Sequence, residues 1–396
     1  LFLSDYGRII QQQNKFNFKV DYMKNGRLML AASEIDSDML YASGFRAPDP
    51  FVWFECGDEQ QGIVLSTLEY GRGLNEARKD VKVLSLDTFF AEDDNDRSME
   101  KLLPALARKF NIGRFETPRN FPLYYADVLR GEGVEVRACG GAFFTKRRYK
   151  SQLEIDYITE GLRAAEAAEE RVVEILSEAS IAPDHTLIWR GDALTSEILR
   201  YEIDLVFMKY GARADSTIVA CGRHGAEPHN IGSGVIFAHL PIVVDIFPRI
   251  SATGYWGDVT RTYVKGIVPD IVRRAYDAVK EARDEAKKMI APGVRACDVH
   301  FLARDIMLEY GFENGADENG NYGFIHGLGH GVGLDIHELP RLNASSTEPL
   351  QAGEVVTVEP GLYYPQWGGI RLEDMVVVTD NGCRCINSID TFLEIT

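Results

Sequence analysis

Two stretches of this sequence each carry a carboxylate, a turn rich in glycine and aromatic residues, and a second carboxylate. They run from Asp245 to Asp258 in PIVVDIFPRISATGYWGDVTRTYVKG and from Glu359 to Glu373 in GEVVTVEPGLYYPQWGGIRLEDMVVVT. Between them, FIHGLGHGVGLDIHE brings His326, His330 and His337 within twelve residues on a Gly-rich loop. Ionised carboxylates crowded among apolar strand residues repel one another, and require a shared proton, a basic partner or a metal. Two Asp, two Glu and one of these histidines make a hard, oxygen-rich donor set that suits two divalent ions such as Mn2+, Co2+, Fe2+ or Zn2+. Four carboxylates balance the charge of two such ions. A pair of ions can hold a bridging hydroxide, polarise a carbonyl and stabilise a tetrahedral intermediate, which is equipment for hydrolysing an amide or ester.

The elements that must position these groups are β-ribbons. Residues 242–247 form a β-branched run and 257–264 a return strand. A hairpin centred near Ser251-Ala252 predicts Asp245 about opposite Asp258, where facing Cβ atoms lie ~4.5–5.5 Å apart. Residues 355–358 and 370–378 repeat the device, and a hairpin centred near Gln366 sets Glu359 against Glu373. Arg371 falls on the face of Glu373, and alone that guanidinium could neutralise one carboxylate. Helices flank the ribbons. One begins near Leu153, with apolar positions at Ile155, Ile158, Leu162, Ala165, Ala168, Val172 and Ile175 that predict one buried face. Others are expected over 193–210, over 271–290 before Pro292-Gly293, and over 296–310 before Gly311. Earlier in the chain, strands are expected at 28–32, 52–56, 63–66 and 83–86, with a helix over 99–110. The expected organisation is therefore an α/β domain over residues 1–150 and a larger domain over 151–396, in the α+β class. The basic run KRRYK at 146–150 reads as a linker and helix start.

With 396 residues, 45% hydrophobic and 26% charged, the chain is globular and long enough for two or three domains. Its 43 basic against 60 acidic residues give a net charge of −17, which argues against nucleic acid as a partner. No apolar run approaches the ~20 residues of a membrane helix. The leading LFLSDYGRIIQQQ does not read as a secretion signal, and the lack of an initial Met predicts a processed or trimmed chain. Six scattered cysteines predict free thiols in a reducing, cytoplasmic compartment. Cys383 and Cys385 lack partners at zinc-site spacing, so no metal role is expected for them.

The order IVVDIF…GDVTRTY, HGLGHGVGLDIHE, TVEPGLYY and GIRLED resembles the pita-bread metallopeptidases, and within them the Xaa-Pro aminopeptidase and Xaa-Pro dipeptidase (prolidase) branch. The resemblance covers essentially the whole chain. It implies a creatinase-type N-terminal α/β domain followed by a pita-bread catalytic domain. It also implies a homodimeric exopeptidase with two divalent ions, manganese foremost, that removes the residue before proline from dipeptides or short peptides.

Residue by residue, the resemblance implies that Asp245 chelates one ion, Asp258 and Glu373 bridge both, and His330 and Glu359 complete the second. Glu359 stands where the family's general base stands. His337 and His229 flank the substrate, stabilise the carbonyl oxygen and move protons. His326 and Arg371 support the ligands from behind. Tyr363 matches a position near the metals and is taken as substrate-binding. Arg341 matches an arginine with which some dipeptidases grip the substrate's terminal carboxylate. In CGRHGAEPHN the residues alone make His224 and His229 nearly equal candidates, and the family pattern selects His229. His185 and His239 are expected to be structural. Two rivals share the fold: a metal-free amidinohydrolase of the creatinase kind, and a binding protein without catalysis. Such relatives lack part of the ligand set, and all five positions are filled here. A methionine aminopeptidase is disfavoured by the large N-terminal domain.

Overall fold

The computed structural model describes residues 23–57, 60–94, 96–318 and 320–396. The leading segment weighed above as a secretion signal lies outside the described residues. The chain divides into two compact units, Leu1–Thr145 and Lys146–Thr396.

In the first unit six strands form one mixed sheet. They are β1 (Lys24–Ala31), β2 (Phe51–Cys56), β3 (Gln60–Leu65), β4 (Lys82–Ser85), β5 (Ile112–Thr117) and β6 (Glu135–Ala138), in the order β4-β3-β2-β1-β5-β6. Alternate residues of β1 and β2 enter different clusters: Leu28, Leu30, Val52 and Phe54 on one face, and Met29, Phe51 and Trp53 on the other. The period-2 alternation thus buries both faces, and helices cover them. The helix Met99–Phe110 packs Leu102, Leu103 and Leu106 onto the first face. Strands β5 and β6, IGRFET and EVRA, were not expected, because their apolar residues are too few to stand out from turns.

In the second unit the helix α1 (Gln152–Glu178) starts at a capping box formed by Ser151 and Glu154, and buries the predicted stripe from Ile155 to Ile175. Three more helices follow: α2 (Ser196–Tyr210), capped by Thr195 and ended by Gly211 at φ 61°, α3 (Asp270–Met289) and α4 (Ala296–Glu309). The strands that matter for the site are β7 (Ile218–Cys221), β8 (Ile242–Ile246), β9 (Val259–Lys265), β10 (Gly329–Gly331), β11 (Glu338–Leu342), β12 (Val355–Val358), β13 (Gly361–Tyr364), β14 (Gly368–Arg371), β15 (Asp374–Thr379), β16 (Gly382–Cys385) and β17 (Glu394–Ile395). They make a four-stranded sheet β7-β8-β9-β17, a five-stranded sheet β11-β10-β12-β15-β16 and the pair β13-β14. Helices α3 and α4 bury Val279, Ala282, Val299 and Ala303 against Val356, Val358 and Val376 of the five-stranded sheet. Helix α1 crosses the β8–β9 ribbon where glycine meets glycine, since a Cβ on Gly257 would lie 2.1 Å from Gly161 C.

Residues 146–150 do not act as a free linker. They fold with the second unit, and Lys150 N–H donates to Gly353 O at 2.8 Å. Among the described residues no helix is long and apolar enough to cross a membrane.

Candidate metal centre

The two ribbons face each other edge to edge. Glu373 N–H donates to Thr260 O at 3.0 Å, and Arg371 N–H to Thr262 Oγ1 at 3.1 Å. In the first ribbon Asp245 pairs with Thr260 and Ile246 with Val259, so Asp258 lies diagonal to Asp245 instead of opposite it. The turn is centred one residue later than expected: Gly254, at φ 82°, closes it by donating to Ile250 O at 2.8 Å. Moving the centre by one residue shifts the pairing by two, so both acids keep the same face. In the second ribbon Val358 pairs with Asp374 and Gly361 with Arg371, which sets Glu359 across from Glu373 as the spacing predicted.

Ligand atoms of Asp258, His330 and Glu373, all buried, lie within 4.8 Å of one another. Glu373 Oε2 accepts from Thr260 Oγ1 at 2.8 Å, while its buried Oε1 has no hydrogen-bond partner among the described residues. Burial and then mutual repulsion, from Glu373, Asp245 and Glu359, push the Asp258 carboxyl well above its ordinary range. Glu373 is driven up by burial and by the charges of Glu359 and Asp245. Asp245 is also raised by burial, against the pull of Arg371, whose Nη2 lies 2.5 Å from Asp245 Oδ2. Glu359 goes the other way. Burial opposes its ionisation, but a 3.0 Å contact with His330 Nε2 and the charges of His326 and Arg371 bring it down to about 2. His330 Nδ1 faces Gly331 O at 3.2 Å. A carbonyl only accepts, so Nδ1 donates there, and Nε2 is the nitrogen turned towards Asp258 and Glu359.

Of the five expected ligands, three therefore converge in this arrangement, Asp245 is turned to Arg371, and Glu359 to His330. Two acids forced towards protonation, an oxygen without a donor and an imidazole nitrogen in one buried spot fit a divalent cation, which would ionise both acids and satisfy the orphaned oxygen.

The centre lies in a cavity of about 630 Å³ whose lining includes His229, His326, His337, Arg341 and Arg371 together with the four acids and the His330 imidazole above. The His337 ring stands 4.4 Å from that of His330, and burial holds it down to about 4, hence neutral at pH 7. His326 donates from Nδ1 to Gly327 O at 2.7 Å and accepts from Tyr363 OH at 2.9 Å, while Tyr363 OH accepts from Arg371 Nη1 at 2.8 Å. Asp245, Arg371, Tyr363 and His326 thus form one hydrogen-bonded chain along the cavity wall, with Tyr363 behind it. Tyr363 is fully buried and does not line the cavity, so the substrate contact expected of it is replaced by this supporting one. His229 opens onto the cavity, and His224, in the turn Gly222–Ala226, is not among its lining residues. His185 and His239 pack on each other, with ring centres 5.1 Å apart.

Sequence reasoning missed Thr260 and Thr357. Thr260 links Glu373 to Arg371 Nε, and Thr357 accepts from His330 N–H at 3.1 Å while donating to Glu359 Oε1 at 3.3 Å. Each lies two residues from a site acid, on the same face of its strand, and that spacing could have flagged both.

Buried acids and an imidazole gathered for a cation at the junction of two ribbons define a metallohydrolase. The profile of metallopeptidase family M24 matches residues 157–380, so the chain belongs to that family and is a peptidase that works with divalent metal. It is 34% identical over 248 residues to the Xaa-Pro dipeptidase of Pyrococcus furiosus, covering 61% of this chain and 68% of that protein. It is 31% identical over 336 residues to the Xaa-Pro dipeptidase of Pyrococcus horikoshii, covering 82% of this chain and 83% of the relative. The solved prolidase of Pyrococcus horikoshii superposes with a TM-score of 0.76 at 25% identity, over 93% of this chain and 95% of that one. The fold is thus the pita-bread fold with a creatinase-type domain ahead of it.

Proposed function

We propose that this peptidase hydrolyses the bond between an N-terminal residue and proline in dipeptides or short peptides, with two divalent ions and Glu359 as general base. The observation that carries the reading is the convergence of Asp258, His330 and Glu373 around an unsatisfied carboxylate oxygen, at the floor of a cavity rimmed by His229, His337 and Arg341. The likeness to proteins named Xaa-Pro dipeptidase supports the choice of bond. Asp245 would hold the first ion, Asp258 and Glu373 would be shared, and His330 and Glu359 would hold the second. The ions, when bound, supply Lewis acidity that polarises the scissile carbonyl and acidifies water. Glu359, ionised at neutral pH, takes the proton from the attacking water. His337, kept neutral, offers an N–H to the carbonyl oxygen. His229, on the open side, passes a proton to the departing proline nitrogen, which carries none of its own in the peptide.

Manganese is inferred as the native ion because the donor set is rich in carboxylate oxygen. Six unpaired thiols support a reducing, cytoplasmic setting. A homodimer is inferred from the family resemblance. Metal analysis and a panel of Xaa-Pro dipeptides, Xaa-Pro-Xaa tripeptides and Xaa-Ala controls, each under Mn2+, Co2+, Zn2+ and Fe2+, test the reading. Two ions per chain and turnover confined to Xaa-Pro substrates are expected. A protein that holds two ions and cleaves no Xaa-Pro bond would overturn it.

A further inference from the structure

The basic run at 146–150 reaches the segment that carries His337. Lys150 Nζ lies 2.7 Å from Glu338 Oε1, and Arg147 Nη2 lies 2.6 Å from Glu338 Oε2 and 2.8 Å from Asp335 Oδ2. Both oxygens of Glu338 are therefore engaged by cations. The Lys150 side chain is 1% exposed and that of Glu338 10%. Burying such a pair strips water from both partners and returns little net stability, so its use is better sought in the position it specifies. Lys150 is itself pinned, through its N–H to Gly353 O at 2.8 Å and through Arg148, which pairs with the buried Glu354.

What the clamp holds is the segment that carries His337. Glu338 follows His337 directly and pairs with Gly331 across the register shift beside His330. A Cβ on Gly333 would lie 2.5 Å from Glu338 Oε1, so the segment folds tightly over the clamped carboxylate. Its other end is gripped from the first ribbon: Trp256 donates from N to Gly333 O and from Nε1 to Leu334 O, both at 3.0 Å. His337 lies between these two anchors with its ring against His330.

We propose that Lys150, assisted by Arg147, is a positioning residue for His337, acting through Glu338. The proposal rests on the reading above for its kinetic consequence, because it assigns His337 to the substrate carbonyl.

Lys150→Met, Lys150→Arg and Glu338→Gln are compared with the unaltered chain, each also in a His337→Ala background. Turnover of an Xaa-Pro dipeptide, bound metal, and hydrogen exchange of the amides at 333–342 are measured. Lys150→Met is expected to lower kcat roughly 10- to 100-fold, the cost of a displacement on the order of 1 Å at a reacting group. KM and metal content should stay near those of the parent, and exchange at 333–342 should accelerate. Lys150→Arg should recover most of the rate. In the His337→Ala background Lys150→Met should change kcat by less than about twofold, because coupled residues are not additive. Glu338→Gln keeps the volume of the side chain and should reproduce the effect if Lys150→Met folds poorly. An equal loss with and without His337, a loss of metal, or unchanged exchange at 333–342 would overturn the proposal. Absence of Xaa-Pro turnover in the parent would sink the functional reading instead, and the exchange measurement would still decide the clamp.

Discussion

Glu373 and Asp374 are neighbours in sequence, both buried, and they meet opposite fates. Asp374 is surrounded by bases: Arg261 Nη2 at 2.9 Å, Arg283 Nε at 3.4 Å and Lys287 Nζ at 2.5 Å. Burial resists its ionisation, but Arg283, Arg261 and Lys287 together hold it down to about 2. Glu373 meets a threonine and other acids, and is pushed well up. The chain can bury a carboxylate with its counter-charge built in, and does so one residue away. Among the described residues, one guanidinium pairs with an acid on the cavity face: Arg371, which is committed to Asp245. A shortage of positive charge beside such a surplus of acids marks where a cation from outside belongs.

The largest effect expected from this contrast is catalytic. Glu359→Gln removes the one cavity acid held ionised without a guanidinium at hydrogen-bond distance, and should lower kcat by about 10²–10⁴-fold, the usual worth of a general base. The fold should be retained by circular dichroism; substantial residual turnover would remove Glu359 from that role. The next effect is on stability, and its sign should differ between the neighbours. Asp374→Asn strands Arg261, Arg283 and Lys287 and should cost about 3–5 kcal/mol in urea unfolding. Glu373→Gln relieves repulsion, so the metal-free protein should be at least as stable as its parent while losing bound metal. If both variants destabilise the metal-free protein alike, the contrast fails.

The second ribbon was legible in the sequence because its turn is short and its strands are strongly β-branched, so the pairing of Glu359 with Glu373 followed from spacing. The first ribbon was legible as to face but not register, since only the fold reveals that Gly254 closes the turn. Arg371 could be seen to share a face with Glu373, but which acid it would choose was not readable, because Asp245 lies 126 positions away. The clamp of Lys150 on Glu338 was invisible for the same reason: sequence patterns report local periodicity, and charge pairs between distant segments leave no periodic trace. Tyr363 was placed near the metals by resemblance, yet its hydroxyl had two inward partners that only three-dimensional packing could supply.

A third acid sharpens the comparison. Glu169 is buried on α1, with Oε2 accepting from Tyr263 OH at 3.0 Å and Oε1 unpartnered among the described residues. Burial raises it from an ordinary 4.5 to about 8, despite the opposing charge of Arg261. The folded state therefore binds this proton more tightly than the unfolded state. Its stabilising contribution is complete below about 4.5 and is lost as pH rises through about 8. Unfolding free energy should fall across that window by on the order of a few kcal/mol, and Glu169→Gln should flatten the fall. An unchanged pH profile in the variant would show that another group governs it.

Arg341 is the reverse of Glu373, a cation on the cavity wall awaiting an acid. Its Nη2 reaches His337 O at only 3.5 Å, and among the described residues no carboxylate pairs with it. A dipeptide places its terminal carboxylate one residue beyond the scissile bond, whereas a tripeptide carries it further out. A charge-assisted contact of about 1.5–3 kcal/mol corresponds to roughly 10- to 100-fold in kcat/KM. Arg341→Ala should therefore lower kcat/KM for Xaa-Pro by that factor and for Xaa-Pro-Xaa by clearly less. The change should fall mainly on KM, because the carboxylate is held equally in the ground state and at the barrier. Equal losses on both substrates would mean that the side chain shapes the wall without reading the substrate's length.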